Sequence, residues 1–468
     1  VNGAIAGVPT VPGNYDVVIS VSDNGAPAQQ VSAAYTIAIA PPPPPSVNLT
    51  PAPPIGTLNS PYVRFSFMAT NGLPPLSWSE SGPLPSGMVF DATGLLSGTP
   101  TAAGTFPISV KAVDAVGQVS PAASFSIQIL TQGFAPISSM GTARAFHTAS
   151  QLNNGKVVVI GGANSNGELA SSELFDPTTK TFTPAGNMVE ARHSHTATVL
   201  ADGKVIVIGG FNVGNALTTT EIFDATTGNF SSTGSMATAR ALHTATLLQT
   251  GKILVTGGLD ATGVPTATAE LFDPVAGTFS ATSNMSTARA YHTATLLSDG
   301  KVLVAEGLDS TNSPLVSAEL FDPATGKFTQ TSTLATPRFQ HTATLLNSGS
   351  VLIAGGVSLG GGVNSTELFD ANHETFSAGP TMETARAAHT ATLLANGWVL
   401  LAGGVDFNLH QLSAAELFDP VADTISPTAN LIAARSEHTA TLLSTGQVLV
   451  TGGLDANSNY LATAELYH

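Results

Sequence analysis

Seven histidines recur every 48 or 49 residues along the later part of the chain: His147, His195, His243, His292, His341, His389 and His438. Histidine is the commonest metal ligand and a frequent general base, so such a series invites a search for a shared site. Each sits in the same phrase, Ala-Arg or Pro-Arg, two variable residues, then His-Thr-Ala. Each therefore opens the same strand of its own repeat. Seven equivalent imidazoles spread around a ring cannot converge on one ion within a bond length of about 2.1 Å. The alternative is structural: an imidazole filling the wedge between repeats and hydrogen-bonded to a neighbouring backbone or hydroxyl group. We expect no metal and no cofactor.

The same reasoning covers seven arginines (Arg144, Arg192, Arg240, Arg289, Arg338, Arg386, Arg435) and seven glutamates (Glu173, Glu221, Glu270, Glu319, Glu367, Glu416, Glu465). One of each per repeat at fixed spacing predicts a partly buried pair that sets register, not a substrate clamp. The second glycine of a Gly-Gly doublet, Gly162 in the first repeat, is present in all seven, as positive φ or close backbone approach requires.

Departures from the repeat carry more information. Glu306 replaces the first doublet glycine in the fourth repeat, and the expected reading is a drifted, solvated carboxylate on the side where the second-to-third-strand loops emerge. Asp260, Asp309, Asp406 and Asp455 begin loops on that side, and Phe211, Phe407 and Tyr460 lie in them. These residues are the binding candidates, because the loops differ most between repeats. No calcium-loop spacing of Asp and Asn followed by Glu is present.

The elements that position these residues follow from composition and turn chemistry. Only 10% of the 468 residues are charged against 43% hydrophobic, and Gly and Pro are abundant, which points to all-β structure. A net charge of −16 argues against nucleic acid and anionic membrane surfaces as partners. There is no cysteine, hence no disulfide and no thiol chemistry. The chain opens on Val-Asn-Gly without a signal-peptide pattern and holds no apolar run near 18 residues, so a mature or trimmed product without a membrane span is expected. The sequons at Asn48, Asn229, Asn284 and Asn364 are of a kind that Ser- and Thr-rich chains produce by chance.

Four strands can be assigned to each repeat; in the second they are 195–200, 204–209, 220–224 and 229–233. The first hairpin turns on pairs such as Asn154-Gly155 and Asp202-Gly203, predicting primed two-residue turns. Phe134 to Met140 matches Phe182 to Met188, a fourth strand standing before the first repeat, while the last repeat ends on a third strand. Strand 133–140 is thus expected to complete the last blade, giving seven whole blades without open edges.

Ahead of the repeats, 46–130 reads as a β-sandwich, with alternation at Val63 to Phe67 and Phe106 to Val110. Gly3, Gly7, Pro9, Thr10, Gly13, Tyr15 and Asp23 match Gly94, Gly98, Pro100, Thr101, Gly104, Phe106 and Asp114 at an offset of 91. Residues 1–40 are therefore expected to be the C-terminal half of such a module, with its first strands upstream or supplied by a neighbouring molecule. Pro41 to Pro45 predicts a semi-rigid polyproline linker, and only 131–133 separates the sandwich from the repeats.

The repeats, with their Gly-Gly doublets and upstream Arg and His, resemble kelch-repeat propellers, with Phe (Ile425 in the sixth copy) where the fourth strand often carries Trp. Residues 46–130, with Leu84-Pro85-Ser86-Gly87-Met88 and Leu96-Ser97-Gly98-Thr99-Pro100-Thr101, resemble immunoglobulin-like domains of bacterial surface proteins. The resemblance implies a seven-bladed kelch-type propeller over 131–468 behind immunoglobulin-like modules, and an extracellular or cell-surface address. Radical copper oxidases of the kelch type need a Cys joined to Tyr, which this chain lacks, and sialidase Asp boxes are absent too. The expected function is a non-enzymatic contact surface for protein or glycan on the loop side, the sandwiches serving as a stalk or as the polymerising unit of a fibre whose partner is itself. The alternative is a secreted carbohydrate-active enzyme, marked by converging carboxylates at the loop face or channel mouth.

Overall fold

Apolar residues occupy alternate positions from Tyr15 to Val21 and from Val31 to Ile37, and each run forms one strand of a hairpin, Gly13–Ser22 antiparallel to Gln30–Ile39. In this computed structural model the described residues are 11–58 and 61–468; Gly3, Gly7, Pro9 and Thr10 of the internal match lie outside them. Every regular element among the described residues is a strand, and the chain divides into two units, 1–130 and 131–468. Among the described residues no helix is long and apolar enough to cross a membrane.

In the first unit the hairpin stands as a two-stranded sheet, with Tyr15, Ile19, Val21, Val31 and Tyr35 exposed. Residues 46–130 contain the same hairpin, Gly104–Val113 against Ala123–Leu130, but here Gly56–Thr57 and Ser77–Ser81 extend it to four strands. A second sheet of Phe65–Ser66, Leu95–Gly98 and Met88–Phe90 completes the module, and Phe67, Trp78, Leu96, Val110 and Ile127 fill its core. Both hairpins close on an aspartate: Asp23 Oδ1 accepts from the Gly25 and Gln29 amides, Asp114 Oδ1 from those of Val116 and Gln118. The polyproline segment is not a free spacer. Pro43 O accepts from the Gly72 amide at 3.0 Å and Pro42 O from Gln118 Nε2 at 2.9 Å, which ties it to the 46–130 module.

The second unit consists of seven four-stranded antiparallel sheets in a β-propeller-like arrangement. In the first sheet the strands are Thr148–Gln151, Val157–Ile160, Ser172–Asp176 and Thr181–Pro184. Each second strand is a continuous buried run, apolar except for Thr256 and Thr451, because sheets pack on both of its faces. Each innermost strand lies beside that of the next sheet, and Thr148–Gln151 also lies beside Thr439–Leu442 of the seventh. Phe134–Pro136 pairs antiparallel with Ala464–Tyr467 as the outermost strand of that seventh sheet. Its Phe134–Tyr467 ring pair, with centroids 4.9 Å apart, repeats the Phe175–Phe182 pair of the first sheet, so one partner comes from each end of the unit.

The first hairpin turns differ from the primed type. Gly155 N–H donates to Leu152 O at 2.9 Å, and only Gly155 of the Asn-Gly pair has positive φ (+82°). This is a three-residue loop, a type I turn followed by a glycine bulge. The six other sheets repeat it, from Gly203–Leu200 to Gly446–Leu443.

Candidate functional site

The repeated charges are committed inside the sheets. Arg144 is fully buried, its Nη2 2.9 Å from Glu173 Oε1 and its Nη1 donating to Gly161 O and Ser171 O. Glu173 Oε2 in turn accepts from the Gly141 amide at 2.7 Å. The pair pins the segment leading into the innermost strand to the third strand of the same sheet. All seven pairs share this geometry at 2.5–3.0 Å. Burial is complete where partial burial was expected, which leaves none of these seven guanidiniums for a ligand.

The histidines latch neighbouring sheets. His195 Nε2 lies 3.0 Å from Thr148 Oγ1 of the preceding sheet, and the series returns to its start with His147 Nε2 3.1 Å from Thr439 Oγ1. Burial, with the adjoining arginine second, holds the imidazoles below their ordinary range, down to about 3 at His243, His341 and His438. They are neutral hydrogen-bonding wedges. Gly162 serves the same joint: its N–H donates to Arg192 O of the next sheet at 2.9 Å, with φ +93°.

Glu306 is not solvated. Its side chain is fully buried between the fourth and fifth sheets, 3.3 Å from Arg338 Nε and 3.3 Å from His341 Nε2. The wedge geometry explains the difference: a Cβ at the equivalent Gly257 would point at Arg289 O and His292 Cε1 of the next sheet, so a side chain here is directed inward. Burial raises the carboxyl well above its ordinary value, outweighing Arg338. Glu306 therefore belongs to a joint, not to a loop surface.

The loop aspartates organise their own loops. Asp309 Oδ1 accepts from the Thr311 and Ser313 amides at 2.8 and 2.9 Å and from the Thr311 hydroxyl. Asp260, Asp406 and Asp455 accept from loop amides two and four residues on in the same way. These bonds, led at Asp260 and Asp309 by the threonine hydroxyl, hold the carboxyls below their usual range. Phe407 is 61% exposed with its ring over Gly361 of the neighbouring sheet, and Tyr460 is half-buried, bridging to Leu454 within its loop. Phe211 alone of the candidates reaches the cavity described next.

The residue before each motif histidine forms a site that the sequence reading passed over. Phe146, Ser194, Leu242, Tyr291, Gln340, Ala388 and Glu437 all adopt left-handed backbone, with φ between 49° and 57°. Their main chains form a ring of seven hydrogen bonds of 3.0–3.3 Å, each N–H donating to the carbonyl of its counterpart in the preceding sheet, Phe146 to Glu437 included. Seven side chains of seven types stand on this common backbone. They line an axial cavity of about 520 Å³ with Phe211, His193 and several motif histidines. Sheets one to three supply a largely apolar arc, where the His193 ring lies 5.8 Å from Phe146 and 5.5 Å from Phe211. Sheets four to seven supply Tyr291, Gln340, Ala388 and Glu437. Burial pushes the Glu437 carboxyl up to about 7, and burial followed by the Glu437 charge raises Tyr291. The available signal was the variability of these positions inside an otherwise constant phrase; their left-handed backbone has no residue-type signature here.

Comparison with known proteins agrees with this organisation. The He_PIG Ig-domain family matches 44–130, and the Kelch motif matches 144–189 and 192–237. An immunoglobulin-like domain and a kelch-motif region are therefore present, in that order. No curated protein matches the chain. Among solved structures, a fungal alcohol oxidase described as having catalytic diversity among the AA5 family, in complex with copper, superposes with a TM-score of 0.60 at 16% identity, covering 72% of this chain and 76% of that one. The structure of YjhT superposes with a TM-score of 0.50 at 14% identity, covering 62% of this chain and 99% of that one. At these identities the likeness is one of fold.

Proposed function

We propose that the seven sheets close into a seven-bladed kelch-type propeller whose axial mouth and surrounding loops are a non-enzymatic contact surface for a protein or glycan. The observation that carries this reading is the mouth itself, seven different side chains on seven superimposable backbone positions. Repeats keep alike what the fold needs, so a position that the fold fixes in backbone and leaves free in side chain is where recognition resides. Glycoside hydrolysis uses two carboxyl groups, and Glu437 is the one carboxylate among the lining residues, which favours binding over catalysis. The resemblance of the preceding module to those of bacterial surface proteins supports an extracellular or cell-surface address. The sandwich modules serve as stalk or as polymerising unit, a role supported by the exposed apolar face of the hairpin 13–39.

The test is to immobilise the full chain and a Phe146→Ala/Tyr291→Ala double variant on glycan and extracellular-protein arrays. A ligand held by the native chain and weakened at least about tenfold in the double variant is expected, since interface aromatics commonly carry 2 kcal/mol or more. Equal retention by both would remove the mouth from the account.

A further inference from the structure

The fifteen basic residues are distributed unevenly. Arg64 and Lys111 lie in the first unit, and the seven motif arginines of the second are fully buried. The six lysines of the second unit (Lys156, Lys180, Lys204, Lys252, Lys301, Lys327) all stand where first-to-second or third-to-fourth strands turn. The axial mouth opens at the other end of the sheets, where the innermost strands begin. Among the described residues that end presents no lysine or arginine to solvent, while Asp260, Asp309, Asp406, Asp455 and Glu168 all lie in its loops. Within the mouth, the Glu437 carboxyl has no hydrogen-bond or ion-pair partner among the described residues, and Phe146, Phe211 and Tyr291 line the same cavity.

An unpaired carboxylate in a cavity that aromatic side chains also line, under a negative field, lacks one thing: a cation. We propose that the axial mouth receives the ammonium or guanidinium end of a lysine or arginine side chain presented by a protein partner. The proposal rests on the mouth being a contact surface and adds the chemistry of what enters it. Ring faces supply cation–π attraction, Glu437 supplies the counter-charge, and the acidic loops steer a basic surface toward the opening. A long aliphatic stem suits the apolar arc of Phe146 and Leu242.

The pH dependence has a defined sign. Glu437 must be ionised to pair with a cation, so binding strengthens as pH rises through about 7. The titratable groups that share the cavity or flank Glu437 in the chain are Tyr291, whose ionisation burial raises, and His147, His193, His195, His243, His341, His389 and His438, each held below its usual range chiefly by burial. Glu437 is the lining group whose ionisation is centred on about 7.

The experiment uses the full chain and five-residue glycine peptides with a central lysine, arginine, Nε-acetyl-lysine or glutamate, followed by calorimetry or saturation-transfer NMR, with methyl glucoside as the neutral-sugar arm. Lysine and arginine peptides are expected to bind at least about tenfold more tightly than acetyl-lysine at pH 8, with about a tenfold loss by pH 6 from the ionised fraction of one carboxyl. Glu437→Gln should cut the preference to about threefold or less, the share left to the ring faces, and Phe146→Leu, which keeps an apolar wall, should weaken native binding roughly threefold. Circular dichroism of both variants checks that they are folded. Acetyl-lysine or glutamate peptides bound equally well, a preference undiminished by Glu437→Gln, or no peptide binding at millimolar concentration would each overturn the proposal. Methyl glucoside binding in place of lysine would overturn it too while leaving the contact surface in place as a glycan site.

Discussion

Glu306 and Glu437 are both pushed toward their neutral forms, at different places and with different consequences. Glu306 occupies a left-handed position (φ 57°) that glycine fills in the other six sheets, and neither of its oxygens makes a well-directed hydrogen bond. A carboxyl raised in the folded state contributes its stability below the unfolded value near 4.5 and loses it as pH rises toward the folded value. Glu306→Gly should therefore be more stable than the native chain at pH 8, by about 1–2 kcal/mol more than at pH 5, as relief of carboxylate desolvation suggests. Urea denaturation at both pH values measures this, and a variant less stable at pH 8, or an advantage unaffected by pH, would contradict it. The position misled the sequence reading because an isolated glutamate beside a loop is ordinarily solvated, whereas the wedge between two sheets turns this one inward. The mouth residues escaped for the opposite reason: nothing in the types Phe, Ser, Leu, Tyr, Gln, Ala and Glu announces a shared backbone conformation.

Strands were the most legible feature, since each was written seven times in register and alternation errors in one copy were corrected by the others. Turn type was not, because an Asn-Gly pair suits both a primed turn and a type I turn with a glycine bulge; the Gly155-to-Leu152 hydrogen bond decides. The hairpin 13–39 shows what an element does without its sheet. Tyr15, Val17, Ile19 and Val21 face the same side as Ile37, Tyr35, Ala33 and Val31, the side that the equivalent Ile108, Val110 and Ile127 bury in the complete module. Two lysines on that side, Ile19→Lys and Val21→Lys, should raise the dissociation constant for self-association at least about tenfold, given 1.5–3 kcal/mol for each apolar side chain buried. Sedimentation velocity of native and variant chains follows it, and identical profiles would exclude the hairpin as a polymerising surface.

At the scale of the molecule, seven Arg–Glu pairs act within the sheets while seven His–Thr latches and seven backbone ring bonds join one sheet to the next, and each is used equally by every repeat. What remains unequal is concentrated at one end: an acidic rim of loops around a mouth with an aromatic and a carboxylate wall. The central claim, that recognition occurs at this mouth, is tested most directly by photo-crosslinking. Benzoylphenylalanine placed at Tyr291, in the mouth, is predicted to capture the binding partner, whereas the same group at Val275, which is 97% exposed in a turn at the opposite end of the sheets, captures none. Capture from position 275 with none from position 291 would contradict the account.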